Sequence, residues 1–273
     1  MKNSQQLGII AGRGHYPFLI LREARKNGVE KIAVAGIEGD GSPELEKESD
    51  AFRWVYPGQI NKTIKFFQKQ GISEAVMVGQ VKPSRLFTGL RPDLRTMRMI
   101  GRLKERNADT LFSAVCDEFK KSGITILPAI TYLDEHLAGE GILNDMKADK
   151  ARLHDAEYGF GVAKEVSRMD IGQSVVVKKG TILAVEGFEG TDKAIIRGGE
   201  LGRGGLTVCK VTKPNHDMRF DVPCIGMRTV DSLIQAKAKT LVVEAHRTLF
   251  IEKERVLEAL RKAKICVIGK KLD

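Results

Sequence analysis

Short apolar runs alternate with helically spaced segments through the first half of the chain. Leu7–Ala11 holds only apolar residues and glycine and reads as a buried strand. Gly12-Arg13-Gly14 ends it, and the apolar spacing from Pro17 to Asn27 predicts a helix that Gly28 stops. Lys31–Ala35, Ala75–Val78 and Thr125–Leu127 read as further strands, and Ile60–Gln70 and Asp109–Lys121 as helices closed by Gly71 and Gly123. This alternation predicts a parallel sheet with helices on both faces.

The rhythm falters between Leu133 and Asp149, where Gly139, Gly141 and the polar run Asn144–Lys150 read as a linker. A helix from His154 to Met169 follows. Ser174–Lys178 and Ile182–Glu186, around Gly180, then have the spacing of a β-hairpin. After the glycine-rich stretch Arg197–Gly205 come a strand at Leu206–Val211, a helix at Thr229–Lys237 and a strand at Leu241–Glu244. A helix at Glu252–Lys264 and a strand at Ile265–Gly269 close the chain. The pattern gives two α/β domains with a boundary near residues 140–150 and no internal repeat.

Composition adds a direction. Of 273 residues, 42% are hydrophobic, enough for sizeable cores, which excludes a wholly disordered chain. Lys and Arg number 45 against 35 Asp and Glu, a net charge of +10. That excess points to negatively charged partners: nucleotide phosphates, nucleic acid or an anionic membrane face. Aromatic residues are 6% of the chain, too few to interleave with the basic residues as stacking platforms, and no helix-turn-helix, RRM or KH signature occurs, so nucleic acid is not expected. Cys116, Cys209, Cys224 and Cys266 form no CxxC pair, so they read as reduced thiols of a cytoplasmic protein, not zinc ligands. Met1–Gln6 is polar and no apolar run approaches about 20 residues, so neither a signal peptide nor a membrane span is expected.

Four features can carry chemistry. The first is Gly12-Arg13-Gly14 after the first strand, where a glycine turn offers backbone N–H groups and a helix N-terminus to a phosphate. The dinucleotide fingerprint needs Gly or Ala where Pro17 stands, so a nucleotide or sugar-phosphate cradle is the better reading, and a tight turn the bland one. The second is a basic segment. Arg91, Arg95, Arg98, Arg102 and Arg106 have helical spacing on one face, among Leu90, Leu94, Met97 and Met99. Such a face suits phosphates or anionic lipid, or is simply a solvated surface. The third combines Glu186-Gly-Phe-Glu189-Gly-Thr191-Asp192 with Lys210, Lys213, Asp217, Arg219 and Asp221. Carboxylates can hold a hard divalent cation on a phosphate while lysines neutralise charge on the transferring group; solvated loops are the alternative. The fourth is Glu244, His246 and Arg247 at the end of a buried strand, where a lone histidine is more often structural than catalytic.

LGIIAGRGHYP, WVYPGQI, AVMVGQVKPSRL, LRPDLRTMRMIGRL, GQSVVV, LAVEGFEGTD, VTKPNHDMRFDVPCIGMRTV and VVEAHRTLFIEKE occur in that order over nearly the whole chain. Together they resemble the metal-dependent UDP-2,3-diacylglucosamine pyrophosphatases of lipid A synthesis, the family unrelated to the calcineurin-like phosphoesterases. Arg13 stands where that family often has glycine, and Asn215-His216 where Gly-Gln is usual. The resemblance implies a Rossmann-like parallel-sheet domain over residues 1–140 and a catalytic, mixed-sheet α/β domain over 141–273, with substrate held between them. It implies hydrolysis to UMP and 2,3-diacylglucosamine 1-phosphate by water directed at the sugar-side phosphorus. It further implies a divalent cation (Mg²⁺, or Mn²⁺) and a homodimer, while the arginine segment points to weak, salt-sensitive association with the anionic inner-membrane surface. Asp221 matches the family's key aspartate, and Glu189, Thr191, Asp192 and Lys213 match its other motif positions. The expected catalytic set is Asp221, Asp192, Lys213 and Thr191, with Asp221 and Asp192 as metal ligands. Gly12, Arg13, Gly14, Gly79, Gln80, Lys210, Glu189, Arg219, Glu244 and Arg247 are the expected substrate contacts. The competing reading is a non-catalytic sensor of a nucleotide sugar.

Overall fold

The computed structural model describes residues 5–81, 90–105, 107–214 and 216–271. The chain divides into two compact units, residues 1–133 with 217–221, and residues 134–216 with 222–273. A short segment from the second half of the chain therefore belongs to the first unit.

The first unit is built on a parallel sheet of β1 (Gln6–Ala11), β2 (Lys31–Ile37), β3 (Ala51–Val55), β4 (Glu74–Val78) and β5 (Thr125–Ile126), in the order β3-β2-β1-β4-β5. This is the strand order of a Rossmann half, and its direction reverses between β1 and β4. Leu7, Ile9, Ile32, Val34 and Val76 are fully buried, which is why these strands read as continuous apolar runs. The edge strand β3 escapes that signal because its sequence, AFRWV, is short and carries a charge. Helices α1 (Tyr16–Lys26), α2 (Glu44–Glu48) and α3 (Ile60–Lys69) follow β1, β2 and β3. Pro17 in the first turn of α1 fits the position where a missing N–H costs nothing.

The basic segment departs from its expected form. Helix α4 runs only from Leu94 to Gly101, because the Asp93 side chain caps it by accepting from the Thr96 N–H. Arg102 is the C-cap and Arg91 precedes the helix, its guanidinium 4.0 Å over the Tyr56 ring. The five arginines therefore do not form one helical stripe. Arg106, with Lys82 and Arg85, lies outside the described residues. Helix α5 (Ala108–Lys120) completes this part of the unit. The returning segment is held here too: Ala129 N–H donates to the Met218 carbonyl, and Phe220 stacks on Phe112 with centroids 5.4 Å apart.

The second unit carries a mixed six-stranded sheet. Its strands are β6 (Gly141–Ile142), β7 (Ser174–Lys178), β8 (Thr181–Val185), β9 (Thr207–Lys210), β11 (Thr240–Glu244) and β13 (Cys266–Lys270), in the order β6-β13-β11-β9-β7-β8. Strands β9, β11 and β13 are parallel, β7–β8 is the expected antiparallel hairpin, and a separate parallel pair joins β10 (Cys224–Ile225) to β12 (Leu249–Phe250). The supposed linker is partly sheet. β6 pairs with β13, and buried Asn144 donates to the Ile265 carbonyl while accepting from Val267 N–H. Helix α6 (Lys150–Arg168) begins ahead of His154 because Asp149 caps it through the Arg152 N–H.

The glycine-rich stretch is also mostly helical: α7 spans Thr191–Gly202. A Cβ on Gly198 would lie 2.6 Å from a Val176 methyl, and one on Gly199 2.6 Å from Ala236 Cα. These glycines let the helix press onto the sheet and onto α8 (Met227–Gln235), so packing and not loop flexibility requires them. Helix α9 (Lys253–Lys262) precedes β13. No helix of the described residues is long and apolar enough to cross a membrane.

Candidate functional site

In the first unit the loop after β1 meets the loop after β4 at the point where the strand order reverses, the usual ligand position in an open α/β sheet. The two loops are sealed by backbone hydrogen bonds. Gly12 N–H donates to the Val78 carbonyl at 2.9 Å, Arg13 N–H to the Gln80 carbonyl at 2.8 Å, and Gln80 N–H to the Arg13 carbonyl at 3.1 Å. A Cβ on Gly12 would lie 2.6 Å from the Gln80 carbonyl oxygen, and one on Gly79 2.8 Å from the Gly12 carbonyl carbon. Glycine is needed at both positions so that the backbones can touch. Gly14 is needed for a different reason, its φ of +100°. The Gly12 and Arg13 N–H groups are thus spent inside the protein. What the loops present outward is the half-buried Arg13 side chain, the exposed Gln80 amide and the first turn of α1.

The returning segment adds charge to the same unit. Asp217 grips Arg219 through both carboxylate oxygens, at 2.9 Å to Nε and 2.6 Å to Nη2. Asp221 lies half-buried at the end of the segment, its N–H donating to the Asp217 carbonyl at 3.0 Å. Cys116 is close to this pair. Burial pushes its thiol up to about 11, against the pull of Arg219, so it is no nucleophile near neutral pH.

In the second unit the candidates gather at one end of strands β9, β7 and β8. Lys210 ends β9, Ser174 begins the antiparallel β7 beside it, Glu186 follows β8, and Thr191 opens α7. Thr191 Oγ1 donates to Glu186 at 2.9 Å and accepts from Lys210 Nζ at 3.2 Å. A lysine, a hydroxyl, a carboxylate and a helix N-terminus therefore converge. Asp192, in the first turn of α7, pairs with Arg228 at 2.6 Å. Lys213 pairs with Asp170 at 2.5 Å, and Glu189 with Arg197, whose hydrogen bond holds the Glu189 carboxyl below its ordinary value.

Glu244 is placed differently from the rest. It is 2% exposed, and its Oε2 accepts from Thr212 N–H at 2.9 Å, from the Thr212 hydroxyl and from Lys164 Nζ at 3.0 Å. Exposed Arg247 lies 3.7 Å from the other oxygen. Burial alone would raise this carboxyl, but the Thr212 and Lys164 hydrogen bonds outweigh it and hold the pKa low. The cluster fixes Thr212, and with it the chain leading into Lys213. Replacing Glu244 with Gln strands the Lys164 charge, 13% exposed, and should cost about 3 kcal/mol near neutral pH. A carboxyl whose folded pKa is lowered stabilises fully above its unfolded value and loses that contribution as pH falls through the folded one. Melting curves of wild type and E244Q should therefore converge in acid, below the ordinary value of 4.5. A gap that persists there rejects the charged clamp.

Arg228, Asp170 and Lys164 were not legible as site residues in the sequence. Arg228 stands inside the quoted IGMRTV motif, but its partner Asp192 is 36 positions away, and no periodicity reports such a pair. Among the described residues, no group of three or more His, Cys, Asp or Glu side chains that could hold a metal is gathered. Of the two expected metal ligands, Asp192 is paired with Arg228 in the second unit and Asp221 belongs to the first.

An open sheet in Rossmann order, together with a second unit whose strand ends carry cations and carboxylates, defines a two-domain α/β protein of the Rossmann-like class. The LpxI N-terminal domain matches residues 6–136 and the LpxI C-terminal domain residues 139–268. The UDP-2,3-diacylglucosamine pyrophosphatase LpxI of Caulobacter vibrioides (strain ATCC 19089 / CIP 103742 / CB 15) is 30% identical over 278 aligned positions, covering 97% of each chain. The chain belongs to the LpxI family.

Proposed function

We infer that the protein hydrolyses the diphosphate bond of UDP-2,3-diacylglucosamine in lipid A synthesis. The observation that carries this reading is the match of nearly the whole chain, both domains included, to a curated pyrophosphatase of that substrate. The site chemistry supports it, because a diphosphate needs cations and hydroxyls around it and these gather at the strand ends of the second unit's sheet.

In this reading water attacks the sugar-side phosphorus. The bond from that phosphorus to the bridging oxygen breaks, and the oxygen leaves with UMP. The other product, 2,3-diacylglucosamine 1-phosphate, keeps the oxygen of water. Lys213 and Lys210 neutralise charge on the phosphoryl groups, and Thr191 orients Lys210 by accepting its hydrogen bond. Arg13, Gly14, Gln80 and the sealed Gly12 and Gly79 backbones form the nucleotide side. Asp192 and Asp221 are the carboxylates proposed to hold a divalent cation, Mg²⁺ or Mn²⁺, which when bound supplies Lewis-acid polarisation of the diphosphate. The protein is further proposed to act as a homodimer at the cytoplasmic face of the inner membrane.

The test is incubation with UDP-2,3-diacylglucosamine and Mg²⁺ in ¹⁸O-labelled water, with and without chelator. UMP should appear only without chelator, with the label in the sugar phosphate and none in UMP. Label in UMP would move the attack to the uridine-side phosphorus. Tight nucleotide-sugar binding with no UMP would leave the sensor reading in its place.

A further inference from the structure

Helix α4 presents an unusual outer face. Thr96 and Met99 point inward, at 2% and 6% exposure. Leu94 and Met97 point outward, at 72% and 57%, although burial is the ordinary fate of such side chains. Arg98 and Arg102 share that exposed side, and neither has an acidic partner among the described residues. The nearby carboxylates are otherwise engaged. Asp93 caps the helix and accepts from Asn61 N–H at 2.6 Å, and Glu118 is held by Arg95 at 2.6 Å and by Lys121 at 2.8 Å. Beyond the helix end the next carboxylate along the chain, Glu105, is exposed. Beside this face lies a groove of about 410 Å³ lined by Asn61, Arg95, Arg98, Arg102 and Glu118 under Leu94 and Met99.

We propose that this face docks on an anionic lipid bilayer, with Leu94 and Met97 entering the interface and Arg98 and Arg102 engaging head-group phosphates. The charge is complementary to such a surface, and the protruding apolar pair distinguishes it from a nucleic-acid contact, which gains nothing from two exposed aliphatic side chains. The proposal rests on the reading that the substrate is a membrane lipid, because docking would bring the enzyme to where that lipid resides.

The experiment is sedimentation of the full-length protein with phosphatidylcholine vesicles containing or lacking phosphatidylglycerol, at low and high salt. Binding should require phosphatidylglycerol and fall with salt. R98Q/R102Q should weaken it about 30-fold, at roughly a kcal/mol per arginine near the surface. L94S/M97S should weaken it as well, while leaving salt dependence in place. Hydrolysis of detergent-dispersed substrate should be unchanged in both variants, which separates this proposal from the enzymatic one. Equal binding by the variants, binding to phosphatidylcholine alone, a loss of dimer in the variants, or salt-sensitive binding to duplex DNA without vesicle binding would each overturn it.

Discussion

Asp221→Ala should lower UMP release by on the order of 10³-fold or more, with the fold intact. The carboxylate stands at the end of the segment 217–221, which returns from the second half of the chain to the first unit. That segment is anchored by contacts that do not involve the Asp221 side chain. These are the bidentate Asp217–Arg219 pair, the Phe220 stack on Phe112 and the hydrogen bond from Ala129 to the Met218 carbonyl. The Asp221 N–H keeps its acceptor in the variant, because the backbone is unchanged. Loss of the carboxylate leaves these three contacts in place. The melting temperature should move little, and the Asn variant should recover only a small part of the rate, since an amide carries no charge to hold a cation. Wild-type turnover by D221A would remove Asp221 from the reaction.

Lys213→Ala should cost on the order of 10²-fold in kcat with little loss of stability. The lysine is 26% exposed, and its partner Asp170 is 71% exposed. Such a surface ion pair is worth less than about 1 kcal/mol, so a large kinetic effect cannot come from unfolding. Lys213 follows Thr212, which the buried Glu244 and Lys164 hold on three sides, so the ammonium is delivered from a rigid base. Arginine at 213 should rescue part of the rate, because the charge returns on a differently shaped group. A kcat within twofold of wild type in Lys213→Ala would exclude transition-state charge stabilisation by this residue.

The regular core elements were legible because burial on both faces leaves an unbroken apolar run. β1, β2, β4, β11 and β13 announce themselves in this way, and the hairpin does so through Gly180 between two apolar segments of hairpin spacing. β3 did not because it is an edge strand interrupted by a charge, and β10 and β12 did not because each is two residues long. Capping carboxylates misled in two places. Asp149 starts a helix inside an apparent linker, and Asp93 starts one too late for the arginines to share a face. The glycines of α7 read as a loop signal because composition cannot tell a flexible glycine from one pressed against Val176 or Ala236.

By itself, the sequence determined the α/β class, the two-domain organisation, the basic excess and the motifs by which the chain resembles its family. Each of these is local or additive, and so is written in short-range pattern. Only the tertiary structure decided which charges are free. It gave Asp192 to Arg228, Asp217 to Arg219 and Lys213 to Asp170, buried Glu244 as a clamp, and left Arg98 and Arg102 exposed beside Leu94 and Met97. The reason is that a charge's role depends on what lies within a few ångströms, and folding, not spacing along the chain, sets those neighbours.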